Sequence, residues 1–310
     1  MRKNVKLTVL FVLMSVLLIQ TAAYAGEVLV TVNAPIATYF ARVQENPIYQ
    51  IQNKASVAFG EKLILGTEYE HLPVISRTSV ISGGFRGADD FVHVPAGDYT
   101  MEQIETIYYY NNHLEALKLN GQQIIDWMEA SGGNFYQIDP NSTEDQFLIN
   151  YGFDGHHLDH FWGVTYMYDV TKPVGERVVN PQFKGEPLTE DMEFIVMVDN
   201  YRASGGGDLP HAVPENVVLS SDLHFRTLLL DYLVDLGGVM PELETNWSIM
   251  PIETKGNILV KTGNEWGMPV MEYMEEAAAT GVEPVDHLEY YGTDEVWGVF
   301  TIDLSKIQTP

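Results

Sequence analysis

The sequence predicts an α+β fold, with a mixed sheet and helices packed against it. Segments with strand spacing and segments with helix spacing interleave along the chain, but without the regular strand–helix–strand repeat of a doubly wound sheet. Hydrophobic residues make up 45% of the 310 residues, which is enough apolar material for a sizeable core. The chain contains no cysteine, which excludes disulfides, thiolate metal ligands and a cysteine nucleophile.

The predicted elements follow from local patterns. Helices are expected over residues 35–43, 49–65, 121–130 and 224–236, the second with apolar side chains at helical spacing and the last ending at two glycines. Runs rich in β-branched and aromatic residues predict strands over residues 72–79, 106–110, 113–119, 163–169, 193–199 and 296–302.

Residues 1–25 have the pattern of an export signal. Three basic residues precede an apolar run over residues 7–19, and Ala23-Tyr24-Ala25 is a small-x-small cleavage pattern. We therefore expect an exported protein, located in the periplasm, outside the cell or at its surface. The alternative is an uncleaved N-terminal anchor, which also leaves the folded part outside the cytoplasm. A domain is expected over residues 26–254, followed by an acidic extension over residues 255–310 that is either packed on the domain or partly detached.

The balance of charge excludes some partners. The chain has 43 acidic and 17 basic residues, a formal net charge of −26. Such a charge repels phosphate backbones and anionic lipids, so we expect neither a nucleic-acid duplex nor a membrane as a partner beyond the signal sequence. An anionic ligand would have to be held locally by a few arginines and backbone N–H groups.

The strongest local motif follows the strand predicted over residues 193–199. It reads Asn-Tyr-Arg-Ala-Ser-Gly-Gly-Gly from Asn200. Tyr201 offers a flat stacking face, Arg202 a planar charge, and the glycines, among them Gly205 and Gly206, allow the backbone to approach a ligand closely. The alternative is an ordinary glycine-rich turn.

Two weaker motifs precede it. Ser-Gly-Gly-Phe-Arg-Gly places Arg86 among backbone N–H groups, as in an anion-binding nest. Three consecutive tyrosines lie at the end of the strand predicted over residues 106–110, and strand alternation would direct Tyr108 and Tyr110 to the same side.

Taken in order, these motifs resemble a known family. From Pro35 to about residue 252 the chain resembles the C-terminal, substrate-recognition domain of the 5′-nucleotidase superfamily, closest to its 2′,3′-cyclic-nucleotide 2′-phosphodiesterase/3′-nucleotidase branch. Besides the three motifs, the matching blocks are Pro-Ile-Ala-Thr-Tyr-Phe-Ala from Pro35, Gly-Thr-Glu-Tyr-Glu-His-Leu-Pro-Val-Ile-Ser from Gly66, Val-Pro-Ala-Gly from Val94, Phe-Tyr-Gln-Ile-Asp-Pro from Phe135, Asp-Val-Thr-Lys-Pro from Asp169 and Asn-Trp-Ser from Asn246.

The resemblance implies a site for a nucleotide or nucleoside. Family members hold the base between two aromatic rings, which by position correspond to Tyr110 and Tyr201. Arg86 lies on the turn that touches the substrate, although Phe85 interrupts the usual Gly-Gly-Arg spacing. The substrate-binding residues implied in this chain are Tyr110, Tyr201, Arg86, Asn200, Arg202, Gly205 and Gly206.

The resemblance implies no catalytic residue and no cofactor in this chain. Hydrolysis in the family belongs to an N-terminal metallophosphatase domain with two metal ions, and only the signal sequence precedes Pro35 here. Divalent metals are therefore expected only in a separate metallophosphatase partner. A local cluster offers a weak metal candidate, because His156 and His160 would share one face of a helix; the alternative is a polar surface loop.

Three functions remain open at this stage. The chain is a nucleotide-recognition subunit that acts with a separate metallophosphatase in nucleotide catabolism, or a non-catalytic protein that binds nucleotides or nucleosides for uptake or sensing, or an autonomous enzyme that uses the histidine cluster. The first requires a catalytic partner, the second requires binding without turnover, and the third requires a bound metal.

Overall fold

The computed structural model describes residues 26–263 and 268–310. The predicted export signal lies outside the described residues. Among them, no helix combines the length and the apolar character needed to cross a membrane. The helices are α1 (Pro47–Leu63), α2 (Met101–Ile107), α3 (Gly121–Ser131), α4 (Asn200–Ala203), α5 (Phe225–Asp235) and α6 (Met268–Thr280).

The strands form several sheets of mixed direction. They are β1 (Val30–Val32), β2 (Ile36–Ala37), β3 (Val74–Ser79), β4 (His93–Val94), β5 (Gly97–Tyr99), β6 (His113–Asn120), β7 (Gln146–Phe147), β8 (Asp159–Trp162), β9 (Thr165–Tyr168), β10 (Val178–Phe183), β11 (Glu186–Pro187), β12 (Glu193–Asp199), β13 (Val217–His224), β14 (Trp247–Ile249), β15 (Ile258–Thr262), β16 (Leu288–Asp294) and β17 (Trp297–Ile302). This arrangement confirms the predicted α+β class with a mixed sheet.

A five-stranded sheet in the order β13-β6-β12-β3-β8 lies at the centre of the fold. Strand β12 is fully buried along residues 194–198, and α1 packs on β3. Because β12 runs parallel to β3 and antiparallel to β6, while β8 runs antiparallel to β3, the ends of β3 and β12 meet the starts of β6 and β8 at one edge. The register places Asp199 opposite Leu114, and Ser79 opposite Asp159. The loops that join these four strands therefore converge on one place.

Two of the predicted elements are wrong. Residues 35–43 form the short strand β2 followed by turns, and the first long helix begins only after Asn46, whose side chain accepts a hydrogen bond from the backbone N–H of Ile48. Residues 106–110 are not a strand, because helix α2 extends to Ile107. Its start is fixed by a capping box, in which Thr100 and Gln103 hydrogen-bond each other's backbone.

The chain from residue 255 does not form a detached extension. Strand β15 pairs in parallel with β7, and β17 pairs with both β15 and β16. The side chains of Val260, Tyr273 and Phe300 are buried in the same hydrophobic core as the residues of the central sheet. The physical reason is that β15 and β17 are apolar and buried along most of their length, so both of their faces must be covered.

Candidate functional site

A cavity of about 250 Å³ opens at the edge where the four strand ends meet. Five of its lining side chains are aromatic or imidazole rings, and three others are polar. The rings are Phe85, Tyr108, Tyr110, His156 and Tyr201, the polar residues are Ser79, Asn112 and Asp199, and Ile81 completes the wall. A polar edge around flat faces is suited to a planar ligand with hydrogen-bonding groups.

Tyr110 reaches the cavity from the segment between α2 and β6, and its side chain is 41% exposed. Arg226 on α5 fixes this segment, because its guanidinium donates to the backbone carbonyls of Tyr108 and Tyr109. The ring of Tyr108 stacks on Phe225 at a centroid distance of 4.4 Å. The Tyr110 ring therefore projects from an anchored backbone.

Tyr201 reaches the cavity from the first turn of α4, and 47% of its side chain is exposed. Its ring packs directly over Gly206, where an added Cβ would lie 2.5 Å from the ring. Gly205 has a φ of +94°, which turns the chain back beneath the ring. Of the two predicted glycines, Gly206 thus makes room for the Tyr201 ring and Gly205 supplies the turn.

A buried ionic network underlies the cavity. Asp159 is fully buried, and its carboxylate accepts hydrogen bonds from Ser79 at 2.6 Å, from the indole N–H of Trp127 at 2.8 Å and from Arg202 at 3.2 Å. Arg77 donates to Asp199 at 2.7 Å and lies 3.5 Å from Asp159. Burial by itself would raise the pKa of Asp159, but Arg202, Arg77 and the hydrogen bonds from Ser79 and Trp127 together outweigh burial, so this pKa is lowered and the group is ionised.

Arg202, which the resemblance implies as a ligand contact, points away from the cavity in this structure. Its side chain has no exposed surface, and its nitrogen atoms contact Asp159, Ser79 and the carbonyls of His156 and Gly206. The guanidinium points inward because a fully buried carboxylate lies there and requires a cationic partner. Arg202 therefore positions the loops that carry His156 and Tyr201.

Two other predicted contact residues also serve the scaffold. Arg86 donates two hydrogen bonds to Asp90, at 2.9 and 2.6 Å, and one to the hydroxyl of Tyr109 at 2.5 Å, while Phe85 takes the place in the cavity wall. The side-chain oxygen of Asn200 accepts from the backbone N–H of His113 at 3.0 Å, which ties α4 to the start of β6.

The predicted helical pair of His156 and His160 is not formed. His156 lies in a 3₁₀ turn at the cavity, whereas His160 lies in strand β8, where it is 1% exposed and packs between Tyr49 and Trp247. Burial lowers the pKa of His160 to about 3, so it is neutral. Strand β8 is covered on both faces, since Asp159, His160 and Phe161 are all buried, so His160 lies in the core and does not share a helical face with His156.

A different group of potential ligands exists at this place. The ligand atoms of Asp154, His156 and His157 all lie within 4.8 Å of one another. Burial and the nearby Arg202 lower the pKa values of both histidines, and His157 lowers the pKa of His156 further. Both imidazoles are therefore neutral and able to coordinate. A terminal nitrogen of Arg202 and the His157 ring both lie beside Gly207. The positive charge of Arg202 therefore disfavours a metal cation at this group.

Sequence reasoning missed Asp159, Arg77 and Ser79 as members of the site. In the sequence, Arg77 stands out only as part of the strand predicted over residues 72–79. A charged residue inside a predicted strand was the available signal, because an arginine buried in a sheet requires a buried acid.

Comparisons with known proteins agree with this architecture. The family model for the 5′-nucleotidase C-terminal domain matches residues 28–213, and the chain belongs to this family. It is 34% identical over 303 residues to the trifunctional nucleotide phosphoesterase protein of Bacillus subtilis, covering 94% of this chain and 20% of that protein. It is 31% identical over 307 residues to the 2′,3′-cyclic-nucleotide 2′-phosphodiesterase/3′-nucleotidase of Haemophilus influenzae, covering 92% of this chain and 46% of that protein.

Solved structures show the same fold. A Staphylococcus aureus structure described as a 5′-nucleotidase superposes with a TM-score of 0.58 at 19% identity, over 74% of this chain and 42% of that one. The Thermus thermophilus 5′-nucleotidase precursor gives a TM-score of 0.55 at 18% identity, over 74% of this chain and 41% of that one. The chain thus spans less than half the length of each of these relatives.

Proposed function

We propose that this chain binds the base of a nucleotide or nucleoside between Tyr110 and Tyr201. The observation that carries the proposal is that these two rings, far apart in the sequence, line one cavity and are both partly exposed. A planar base stacked on such rings gains about 1–3 kcal/mol per contact, independently of which base it is. The hydroxyls, amides and carboxylate of Ser79, Asn112 and Asp199 lie within the same wall and are able to hydrogen-bond the sugar or the base edge.

In this proposal the chain recognises 3′-nucleotides or 2′,3′-cyclic nucleotides, and a metallophosphatase domain or subunit performs the hydrolysis. The similarity to a 2′,3′-cyclic-nucleotide 2′-phosphodiesterase/3′-nucleotidase of H. influenzae and to a nucleotide phosphoesterase of B. subtilis supports this substrate class. The proposal also includes export, which the basic and apolar pattern of the first 25 residues supports.

Removing either ring is expected to weaken binding selectively. Tyr201→Ala and Tyr110→Ala should each lower the affinity for adenosine and 3′-AMP by about 1–3 kcal/mol, roughly five- to a hundredfold, because each removes one stacking face. Tyr201→Phe should bind nearly as the wild type, because stacking requires the ring. Isothermal titration of the purified chain measures both effects.

Tyr136→Ala is the matched control, because this tyrosine has the same 47% exposure as Tyr201 but does not line the cavity. It should bind as the wild type does. Thermal unfolding should change little in all four variants. Equal losses in Tyr136→Ala and Tyr201→Ala, or loss of folding without a selective loss of binding, would refute the clamp.

We expect the purified 310-residue chain to bind these ligands without hydrolysing them. Among the described residues, the group at Asp154, His156 and His157 offers three ligands for one ion, whereas a two-metal hydrolase needs a second set. Phosphate release from 3′-AMP should stay at the buffer rate with added Mn²⁺, Zn²⁺ or Co²⁺. Steady release that disappears in His156→Ala would instead favour an autonomous enzyme.

A further inference from the structure

The aromatic cavity at the strand ends exposes an acid, whereas the cations beneath it are buried. Of the four charged groups in the ionic network, Asp199 is the one that belongs to the cavity wall. Its side chain is 12% exposed, against 1% for Arg77 and none for Arg202 or Asp159. A ligand in this cavity therefore meets the carboxylate and not the guanidinium groups.

The Asp199 carboxylate is held in place from below. One of its oxygens accepts a hydrogen bond from Arg77 at 2.7 Å, and the other accepts from the backbone N–H of Arg202 at 3.0 Å. An ionised carboxylate has about four acceptor sites, so these two bonds leave room for a donor from a ligand. A sugar hydroxyl is such a donor, whereas an ionised phosphate offers only acceptors and a charge of the same sign.

The charges of the two buried guanidinium groups are already compensated. Arg202 lies 3.1 Å from Asp159. Arg77 forms ion pairs with both Asp159 and Asp199. Two cations thus face two carboxylates inside the protein. Because breaking a buried ion pair is strongly destabilising, neither guanidinium is available to a phosphate.

An exposed cation of this region, Arg86, is also engaged. Its side chain is 43% exposed, and it donates hydrogen bonds to Asp90 at 2.9 and 2.6 Å. It also donates to the hydroxyl of Tyr109, which lies 3.3 Å from the hydroxyl of Tyr110. A phosphate that reached Arg86 would meet the negative charge of Asp90 beside it.

A ligand phosphate is therefore repelled by the cavity wall and by a chain whose formal net charge is −26. We propose that this cavity binds the uncharged nucleoside more tightly than the corresponding nucleotide, and that Asp199 is the residue that discriminates against phosphate. This inference rests on the proposed base-binding function and specifies its ligand. A nucleotide binds with its phosphate outside the cavity, and a reaction that removes phosphate supplies the ligand that the chain retains best.

Isothermal titration of the purified chain with adenosine, 2′,3′-cyclic AMP and 3′-AMP tests this proposal. At about pH 8 an ordinary imidazole is neutral and the phosphate of 3′-AMP carries close to two negative charges. Affinity should fall in the order given, by about threefold or more between adenosine and 3′-AMP at about 20 mM NaCl. At about 500 mM NaCl the difference should shrink, because salt screens the repulsion, whereas a cationic phosphate site would lose affinity for 3′-AMP.

Variants locate the discrimination. Asp199→Asn removes the charge and keeps the size of the side chain, so it should lower the ratio of the 3′-AMP and adenosine dissociation constants by about threefold. Asp191→Asn is the matched control, because this exposed aspartate lies just before β12, at the opposite end of the strand from Asp199. It should leave the ratio unchanged. Arg86→Gln should change the ratio by less than about threefold, because the charge of Arg86 is already paired.

The ratio is measured within each variant, so a general loss of stacking or stability cancels from it. The proposal is wrong if 3′-AMP binds the wild type as tightly as adenosine does, if added salt weakens 3′-AMP binding relative to adenosine, or if Asp199→Asn gives the same ratio as Asp191→Asn. A larger rise of the ratio in Arg86→Gln would also refute it, by showing a phosphate contact. The wild-type titrations keep the test decisive if Asp199→Asn does not fold.

These failures differ from a failure of the base-binding function. If the order of affinities is reversed but Tyr201→Ala weakens adenosine and 3′-AMP alike, the base site stands and the discrimination against phosphate is wrong. If none of the three ligands binds, the base-binding function is wrong, and this inference fails with it.

Discussion

Asp159→Ala should lower the free energy of unfolding by about 3–5 kcal/mol, which is the usual result of removing one partner of a buried ion pair. Without the carboxylate, the guanidinium of Arg202 would lose its ion pair, and that of Arg77 would keep only its ion pair with Asp199. Ser79 and Trp127 would also lose their acceptor. Chemical denaturation with urea, followed by circular dichroism, measures this change.

The same variant should also lose affinity for adenosine, because Arg202 holds the loop of His156 and the turn that supports Tyr201. Asp89→Ala, which removes an exposed acid, is the matched control and should change stability by less than about 0.5 kcal/mol. A loss below about 1 kcal/mol in Asp159→Ala would show that the network adds little to the fold.

Glu45 should make the wild type lose stability as the pH rises, and Glu45→Gln should remove this loss. Burial raises the pKa of Glu45 from 4.5 to about 8, against the opposing effect of the N–H groups of Asn246 and Trp247. Between these two values the folded protein holds a proton that the unfolded chain releases, so the contribution of Glu45 to stability falls as pH rises. This contribution to the free energy of unfolding falls by about 1.4 kcal/mol per pH unit and stops changing above the pKa of Glu45 in the folded state.

The stability of the wild type relative to Glu45→Gln should therefore decrease from about pH 5 to pH 8, by up to about 4 kcal/mol. Glu283, whose pKa burial raises to about 7, should show the same sign over a narrower range. Urea unfolding at closely spaced pH values provides the comparison, with Glu186→Gln as the control. Parallel curves for wild type and Glu45→Gln would mean that this carboxyl stays accessible to water.

From the sequence, the candidate site was predictable only for residues whose role depends on the side chain itself, such as a flat aromatic ring. Tyr110 and Tyr201 were identified from the resemblance, and the structure brings them to one cavity. The inward direction of Arg202 was not predictable, because nothing near it in the sequence reveals that Asp159 is buried beside it. A guanidinium in a glycine-rich turn is equally compatible with a ligand and with an internal acid.

The sequence by itself determined the α+β class, the buried strand β12, the helix α1 and the glycine turn, because these depend on the spacing of apolar residues and on local backbone freedom. The tertiary structure alone decided which polar groups face the cavity and which form the buried network. Hydrogen bonding and desolvation depend on neighbours from distant strands, such as Ser79 and Asp159 in β3 and β8, and the sheet register sets these neighbours.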